Sequence, residues 1–100
     1  MSRMDKETVI HTLRAHEAEL RAEGVSHVFL FGSVARGEAD EQSDVDLFYD
    51  YDDPRFSLID VVRVQDRFAE LLSARVDAMT RGSVHWRIRR EVEAEAIQIF

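Results

Sequence analysis

The beginning of the chain has the hydrophobic spacing of an amphipathic helix. Between about Asp5 and Glu23, charged residues separate an apolar face that repeats every three or four positions, at Val9, Leu13, His16 and Leu20. Gly24 follows where a glycine commonly ends a helix in the left-handed conformation. The pattern therefore predicts one helix over this segment.

Two short apolar runs after this helix predict strands. His27–Phe31 ("HVFLF") is a continuous run, typical of a strand buried on both faces. Val45–Tyr49 alternates instead, with one face formed by Val45, Leu47 and Tyr49 and the other by Asp46, Phe48 and Asp50. The intervening "GSVARG" predicts a tight turn into one or two helical turns.

The second half of the chain repeats the alternation. Ser57 and Asp60 match a capping box, which predicts a helix through about Ser73 with an apolar stripe of Leu58, Val61, Val62, Phe68, Leu71 and Leu72. Arg75–Met79 is predicted as a third strand, closed by Thr80, Arg81 and Gly82. A last helix is expected to end near Ala96, before a short apolar end.

Helices that alternate with strands predict an α/β (α+β) fold, in which helices pack on a small mixed β-sheet. We expect a single domain over residues 1–100. No apolar run is long enough to span a bilayer, and the N-terminal segment lacks the apolar centre of a signal peptide. We therefore expect a cytoplasmic protein that does not contact membranes.

The net charge and the absence of cysteine limit which partners and metal ligands are possible. The net charge is −7, from 20 acidic and 13 basic side chains, which argues against direct nucleic-acid binding because such binding needs lysine and arginine to neutralise phosphates. The chain has no cysteine, so oxygen or imidazole has to hold any metal.

Asp44 and Asp46 are the first candidates for metal ligands. Side chains two residues apart on a strand share a face, with backbones about 6.6 Å apart. Two buried like charges without a partner are costly, whereas Mg²⁺ prefers carboxylate oxygen and resolves the repulsion. Asp77 adds a third carboxylate if its strand lies beside that of Asp46, and three such groups suit a two-metal site for phosphoryl or nucleotidyl transfer.

Gly32 and Ser33 suit phosphate binding. A Gly-Ser turn between a strand and a helical turn offers backbone N–H groups, a hydroxyl and a partly positive helix terminus. The sequence lacks the lysine of a Walker motif, so any triphosphate has to be held in another way.

The stretch "GSVARGEADEQSDVDL" resembles the signature of the DNA polymerase β-like nucleotidyltransferase superfamily: Gly-Ser, ten residues, then Asp-x-Asp. The small size of the chain and the stretches "ARG" and "SDVDL" most resemble the minimal nucleotidyltransferases of this superfamily. Val34 departs from the basic or aromatic residue common in relatives, which is expected to weaken nucleotide contacts but leaves the metal ligands complete.

The resemblance implies a polymerase β-like nucleotidyltransferase fold and a role for each motif residue. Gly32 and Ser33 hold the β- and γ-phosphates of ATP, and Arg36 adds a phosphate contact. Two Mg²⁺ ions are ligated by Asp44, Asp46 and Asp77, which are also the expected catalytic residues. Taken without the resemblance, Arg36 is better interpreted as a surface arginine beside the turn.

The resemblance also implies a partner. Minimal nucleotidyltransferases commonly pair with a helical HEPN-type RNase toxin, which they neutralise as antitoxins by transferring AMP to a tyrosine. A hetero-oligomer with such a toxin is therefore expected. Two alternatives stay open: an antitoxin that acts by occlusion without catalysis, and a transferase that modifies a small molecule, as aminoglycoside-modifying relatives do.

The remaining polar and aromatic residues have plainer interpretations. The four histidines, His11, His16, His27 and His85, are spaced unlike metal ligands, and we expect no catalytic role for them. Core or edge packing is preferred over a partner-binding patch for Trp86, Ile88 and Phe100. A solvated helix face, balanced by nearby glutamates, is preferred for Arg87, Arg89 and Arg90.

Overall fold

The computed structural model describes residues 5–100. Its elements, in chain order, are α1 (Lys6–Ala15), α2 (Glu17–Ala22), β1 (Val25–Phe31), α3 (Gly32–Arg36), β2 (Val45–Tyr51), α4 (Leu58–Leu72), β3 (Val76–Thr80), a 3₁₀ turn (Arg81–Ser83), α5 (Trp86–Glu95) and β4 (Ile97–Gln98). The predicted alternation of helices and strands is confirmed.

The four strands of this described region form one mixed sheet in the order β3-β2-β1-β4. β2 pairs with β3 in parallel, whereas β1 pairs antiparallel with both β2 and β4. The small mixed sheet expected from the sequence is therefore confirmed. None of the helices between residues 5 and 100 is long and apolar enough to span a membrane.

The main core lies between one face of the sheet and the helices α1, α2 and α4. It contains the alternating residues of β1 and β2 that point to this face, together with Val9, Leu13, Leu20, Val64, Phe68 and Leu72. Tyr49 is fully buried here, with its ring 6.0 Å from that of Phe68. The period-2 pattern of β2 and the helical spacing of α1 thus marked true core positions.

A smaller apolar layer covers the opposite face. Phe48, Val84 and Val92 are buried there, and Phe29 stacks on Phe48 with ring centroids 4.7 Å apart. The layer leaves His27 exposed. The prediction of a strand buried on both faces therefore holds for the end of β1 nearest α3 but is wrong at His27.

Arg81 ties this second layer together. Its guanidinium donates to both carboxylate oxygens of Asp50, at 2.8 and 3.0 Å, and to Glu93 at 2.9 Å. It also lies over the rings of Phe29 and Phe48, at 4.7 and 5.0 Å from their centroids. One planar cation thus links β1, β2 and α5.

The predicted first helix is two helices. Helix α1 ends at Ala15 and α2 begins at Glu17, because His16 adopts a non-helical conformation with φ −112° and ψ 21°. Its Nδ1 lies 2.8 Å from the carbonyl oxygen of Thr12, so the ring satisfies a backbone group at the break. Gly24 has the expected positive φ, 105°.

Helix α4 confirms its predicted start but not its whole apolar stripe. The backbone N–H of Ser57 donates to Asp60 at 2.8 Å, as the capping box requires. Leu58 and Val62, however, are 78% and 55% exposed. At about 100° per residue they lie about 120° and 160° around the helix from Val64, which faces the core.

The preference for packing at Trp86 and Ile88 is also wrong. These residues are 72% and 49% exposed, because α5 packs Val92 into the second apolar layer instead. Phe100 does pack against the main core. Arg89 donates to the carbonyl oxygens of Gly82 and Val84, so it belongs to the packed layer rather than to a solvated face.

The bidentate geometry of Arg81 leads to a stability prediction. Arg81→Lys should lower the free energy of unfolding by about 1–2 kcal/mol, because an ammonium group cannot reproduce the planar fork or its stacking. Arg55→Lys is the matched control, since Arg55 also binds one aspartate, Asp53, but its side chain is 89% exposed. In urea denaturation, Arg55→Lys should lower the free energy of unfolding by less than about 0.5 kcal/mol. Equal losses in the two variants would contradict a stabilising role for the bidentate, stacked geometry of Arg81.

Candidate active site

The parallel pairing of β2 and β3 brings two predicted site residues together. Asp46 and Asp77 are direct partners in the register, on strands that lie about 4.8 Å apart. Partners in a parallel pair project to the same face, so the two carboxylates are neighbours. The condition set by the sequence, that the third strand lies beside the second, is met.

The electrostatic state of Asp46 reflects this crowding. Burial raises the pKa of Asp46 to about 6, and the negative charges of Asp77 and Asp44 add to the effect. The positive charge of Arg36 acts in the opposite direction but is too weak to cancel it. The site therefore holds a carboxylate that ionises at a cost, which is common where a cation is to be bound.

Asp44 takes a different position from the other two carboxylates. It precedes β2, its side chain is 52% exposed, and Arg75 Nε lies 3.1 Å from its Oδ1. Over residues 5–100, no three acidic or histidine side chains converge closely enough to form a ready-made metal cluster. The structure thus brings Asp46 and Asp77 together and leaves Asp44 beside them in an ion pair.

The donor chemistry at this site fits Mg²⁺. Asp44, Asp46 and Asp77 offer carboxylate oxygen, and their mutual repulsion is what a divalent cation would relieve. The four histidines are placed elsewhere: His11 and His27 are exposed, His16 marks the break between α1 and α2, and His85 accepts the backbone N–H of Arg87 at the start of α5.

Gly32 lies against Asp46 at the start of α3. Its φ is 77°, and a Cβ on it would overlap the Oδ2 atom of Asp46. Glycine is therefore required here both by the backbone conformation and by the close approach of the carboxylate. Within the described part of the chain, the hydroxyl of half-buried Ser33 is bound to no other group, whereas Val34 is buried in the main core. Ser33 is thus the free side-chain donor of this turn.

Arg36 and Glu95 complete the surroundings of the Gly-Ser turn. Arg36 Nε donates to Glu38 at 2.8 Å, and its Nη1 lies 3.3 Å from Glu95 Oε1. The same Oε1 accepts the backbone N–H of Gly32 at 3.3 Å. Sequence reasoning missed Glu95, because 63 positions separate it from Gly32 and no local motif marks it.

Comparison with known proteins decides the family. Residues 13–99 match the sequence pattern of the nucleotidyltransferase domain family, and this range includes every residue of the candidate site. The chain belongs to the nucleotidyltransferase family. The resemblance seen in the Gly-Ser and Asp-x-Asp spacing is confirmed, and so is the expectation of an enzyme.

Related sequences share nearly the whole length of this nucleotidyltransferase. It is 34% identical to the protein adenylyltransferase MntA of Thermococcus cleftensis over 99% of this chain and 100% of that protein. It is 35% identical to a candidate protein adenylyltransferase of Methanocaldococcus jannaschii over 87% of this chain and 90% of that one.

Solved structures show the same fold. A candidate minimal nucleotidyltransferase superposes with a TM-score of 0.80 at 38% identity, covering 97% of this chain and 98% of the other. A toxin-antitoxin structure with AMP-PNP matches with a TM-score of 0.69 at 20% identity, over 87% and 72% of the two chains. A complex of tri-AMPylated Shewanella oneidensis HEPN toxin with MNT antitoxin matches at 0.64 and 18%, over 91% and 71%.

The contact between Gly32 and Asp46 predicts a large effect of a single methyl group. Gly32→Ala should lower the free energy of unfolding by at least about 2 kcal/mol, from the positive φ and from displacement of the carboxylate. Gly37→Ala is the control, because Gly37 has a similar φ of 73° and no atom within 4 Å of an added Cβ. Gly37→Ala should lower the free energy of unfolding, measured by urea denaturation, by about 1 kcal/mol. Equal losses would show that the Asp46 contact is unimportant.

The raised pKa of Asp46 predicts a stabilising substitution. Its carboxyl ionises at about 6 in the folded chain against an ordinary value of 3.8, so the folded state binds the proton more tightly. Stability should therefore rise as the pH falls from 7 towards 4. In metal-free buffer at pH 7, Asp46→Asn should raise the free energy of unfolding by about 1–2 kcal/mol and weaken this pH dependence.

Exposed Asp66 provides the control for this substitution. Asp66→Asn should leave both the stability and its pH dependence nearly unchanged. Added Mg²⁺ should stabilise the wild type more than the Asp46 variant. A less stable Asp46→Asn protein at pH 7 would contradict the interpretation of the site.

Proposed function

We propose that this nucleotidyltransferase is a Mg²⁺-dependent protein adenylyltransferase. It transfers AMP from ATP to a tyrosine hydroxyl of a HEPN-type RNase toxin and so acts as its antitoxin. The observation that carries the proposal is the juxtaposition of the paired carboxylates Asp46 and Asp77 with the Gly32 backbone N–H at one end of the sheet.

Each part of the site has a task in this reaction. Gly32 N–H and the Ser33 hydroxyl bind the β- and γ-phosphates, with Arg36 beside them, which directs the α-phosphate toward the carboxylates. Asp44, Asp46 and Asp77 would hold the metal, two Mg²⁺ ions in the family pattern. When bound, Mg²⁺ supplies charge neutralisation for the entering and leaving oxygens. Asp44, whose Oδ1 atom is paired with Arg75, would join this ligand set from beside the other two carboxylates.

The reaction exchanges one bond at the α-phosphorus for another and moves one proton. The tyrosine oxygen attacks the α-phosphorus in line, and the bond from the α-phosphorus to the β-bridging oxygen breaks. Asp77, which is more exposed than Asp46, receives the tyrosine proton, and pyrophosphate leaves from the Gly32 end. AMP stays on the tyrosine as a phosphodiester.

The relatives support this choice of acceptor. The Thermococcus cleftensis relative is named a protein adenylyltransferase and matches almost the entire chain. The Shewanella oneidensis complex pairs an MNT antitoxin of this fold with an AMPylated HEPN toxin. An ATP-consuming antitoxin of an RNase acts in the cytoplasm, and stable binding of the toxin would make a hetero-oligomer.

The test is transfer of AMP to a HEPN-type helical protein, which is to be sought in the reading frames adjacent to the gene for this chain. With Mg²⁺ and ATP, intact-mass spectrometry should show addition of whole AMP units, and peptide mapping should place them on tyrosine. Asp46→Asn and Asp77→Asn should each reduce the rate by at least about 100-fold, because metal binding and proton acceptance are lost. Asp66→Asn, an exposed acid on α4, should retain the wild-type rate.

Two outcomes would replace the proposal. If Asp46→Asn combined with Asp77→Asn neutralises the toxin fully and the wild type leaves it unmodified, the chain acts by occlusion. If the wild type adenylylates an aminoglycoside but not the helical protein, the acceptor is a small molecule. Removing Mg²⁺ with EDTA should abolish transfer in either catalytic case.

A further inference from the structure

Glu95 places a carboxylate in the phosphate-binding part of the site. Its Oε1 atom accepts the Gly32 backbone N–H at 3.3 Å and lies 3.3 Å from Arg36 Nη1, while Oε2 lies 3.4 Å from the same nitrogen. These are two of the donors assigned above to nucleotide phosphates. An anionic carboxylate oxygen takes the same kind of donor as a phosphate oxygen.

The position of Glu95 is a consequence of the fold. It is the last residue of α5, and the chain turns directly into β4, where Ile97 and Gln98 pair with Leu30 and Phe29. β1 then ends at Phe31, immediately before Gly32. The end of α5 is therefore held beside the start of α3 by backbone pairing.

The contact itself is weak enough to exchange. Its distances are at the long end for hydrogen bonds, and the Glu95 side chain is 34% exposed. Arg36 keeps a shorter bond, 2.8 Å, to Glu38 when Glu95 leaves. The negative charges of Glu95 and of a polyphosphate repel each other, so the two compete for the Gly32 N–H group and for Nη1 of Arg36.

We propose that Glu95 is a specificity-determining residue that occupies the β- and γ-phosphate position and is displaced when ATP binds. This proposal rests on the proposed function, because it takes the Gly32 and Arg36 donors as the phosphate cradle. The carboxylate weakens binding of polyphosphates and favours release of pyrophosphate. AMP, which lacks the β- and γ-phosphates, does not compete with it.

The test measures ligand affinity by isothermal titration calorimetry in Mg²⁺ buffer, with AMP-PNP, pyrophosphate and AMP as probes. Glu95→Gln, which keeps the size and removes the charge, should lower the Kd of AMP-PNP and of pyrophosphate by about 3- to 10-fold. The Kd of AMP should change by less than about twofold. The KM for ATP should fall together with the Kd of AMP-PNP.

Two further variants separate contact from charge. Glu95→Asp keeps the charge but draws it back by one methylene, so it should bind AMP-PNP more tightly than the wild type does. Glu91→Gln is the matched control, because Glu91 is an exposed acid on the same helix and its loss changes the net charge equally. Its Kd values should equal those of the wild type.

Three results would overturn the proposal. One is an unchanged or raised Kd of AMP-PNP in a folded Glu95→Gln protein, which would make Glu95 neutral or a supporting ligand. Another is a Glu95→Asp protein that binds AMP-PNP with the wild-type Kd, which would show that Glu95 acts through its charge at a distance and not through direct contact. If the wild type binds AMP-PNP, either result leaves the proposed function intact. Failure of the wild type and all variants to bind AMP-PNP would overturn both proposals.

Discussion

The structure is organised around one unfavourable contact, the side-by-side placement of Asp46 and Asp77. The register of the parallel β2 and β3 pair fixes this contact, and the apolar residues of β2 on the opposite face fix the register. A slip by one residue would relieve the charges but would turn Leu47 and Tyr49 out of the core. Hydrophobic burial therefore holds two carboxylates where electrostatics alone would separate them. A cation bound there would recover the electrostatic cost, which is the physical basis of the proposed Mg²⁺ site.

The residues around Asp46 and Asp77 are also positioned by close packing and backbone pairing. Gly32 approaches Asp46 so closely that no side chain fits, which brings a backbone N–H next to the carboxylates. Arg81 anchors the layer that covers the other residues of the same sheet face, and this layer includes α5. Because α5 leads into β4, its last residue, Glu95, reaches the Gly-Ser turn. The second layer, which has few buried residues, thereby positions Glu95 beside the Gly-Ser turn.

Several large apolar residues are exposed on α4 and α5. Leu58, Ile59 and Val62 on α4 and Trp86 on α5 are more than half exposed, although packing was expected for Leu58, Val62 and Trp86 from the sequence. The candidate site offers carboxylates and donors for phosphate, with Asp77 and Asp44 exposed at its surface. A second protein that supplies the hydroxyl suits this arrangement, and the proposed toxin is such a protein.

Local patterns in the sequence were enough to predict most of the helices and strands and to name most residues of the candidate site. Capping at Ser57, alternation along β2 and the spacing from Gly32 to Asp46 depend on near neighbours, so they can be read from the chain alone. The break at His16, the exposure of Leu58 and Trp86, the ion pair of Asp44 with Arg75 and the place of Glu95 could not. Each depends on which distant surface an element packs against, and helical spacing specifies a face without specifying its partner. Local sequence patterns thus specified which residues are candidates for the chemistry. Only the folded chain shows which of them lie together, because contacts across the sheet join residues far apart in the sequence.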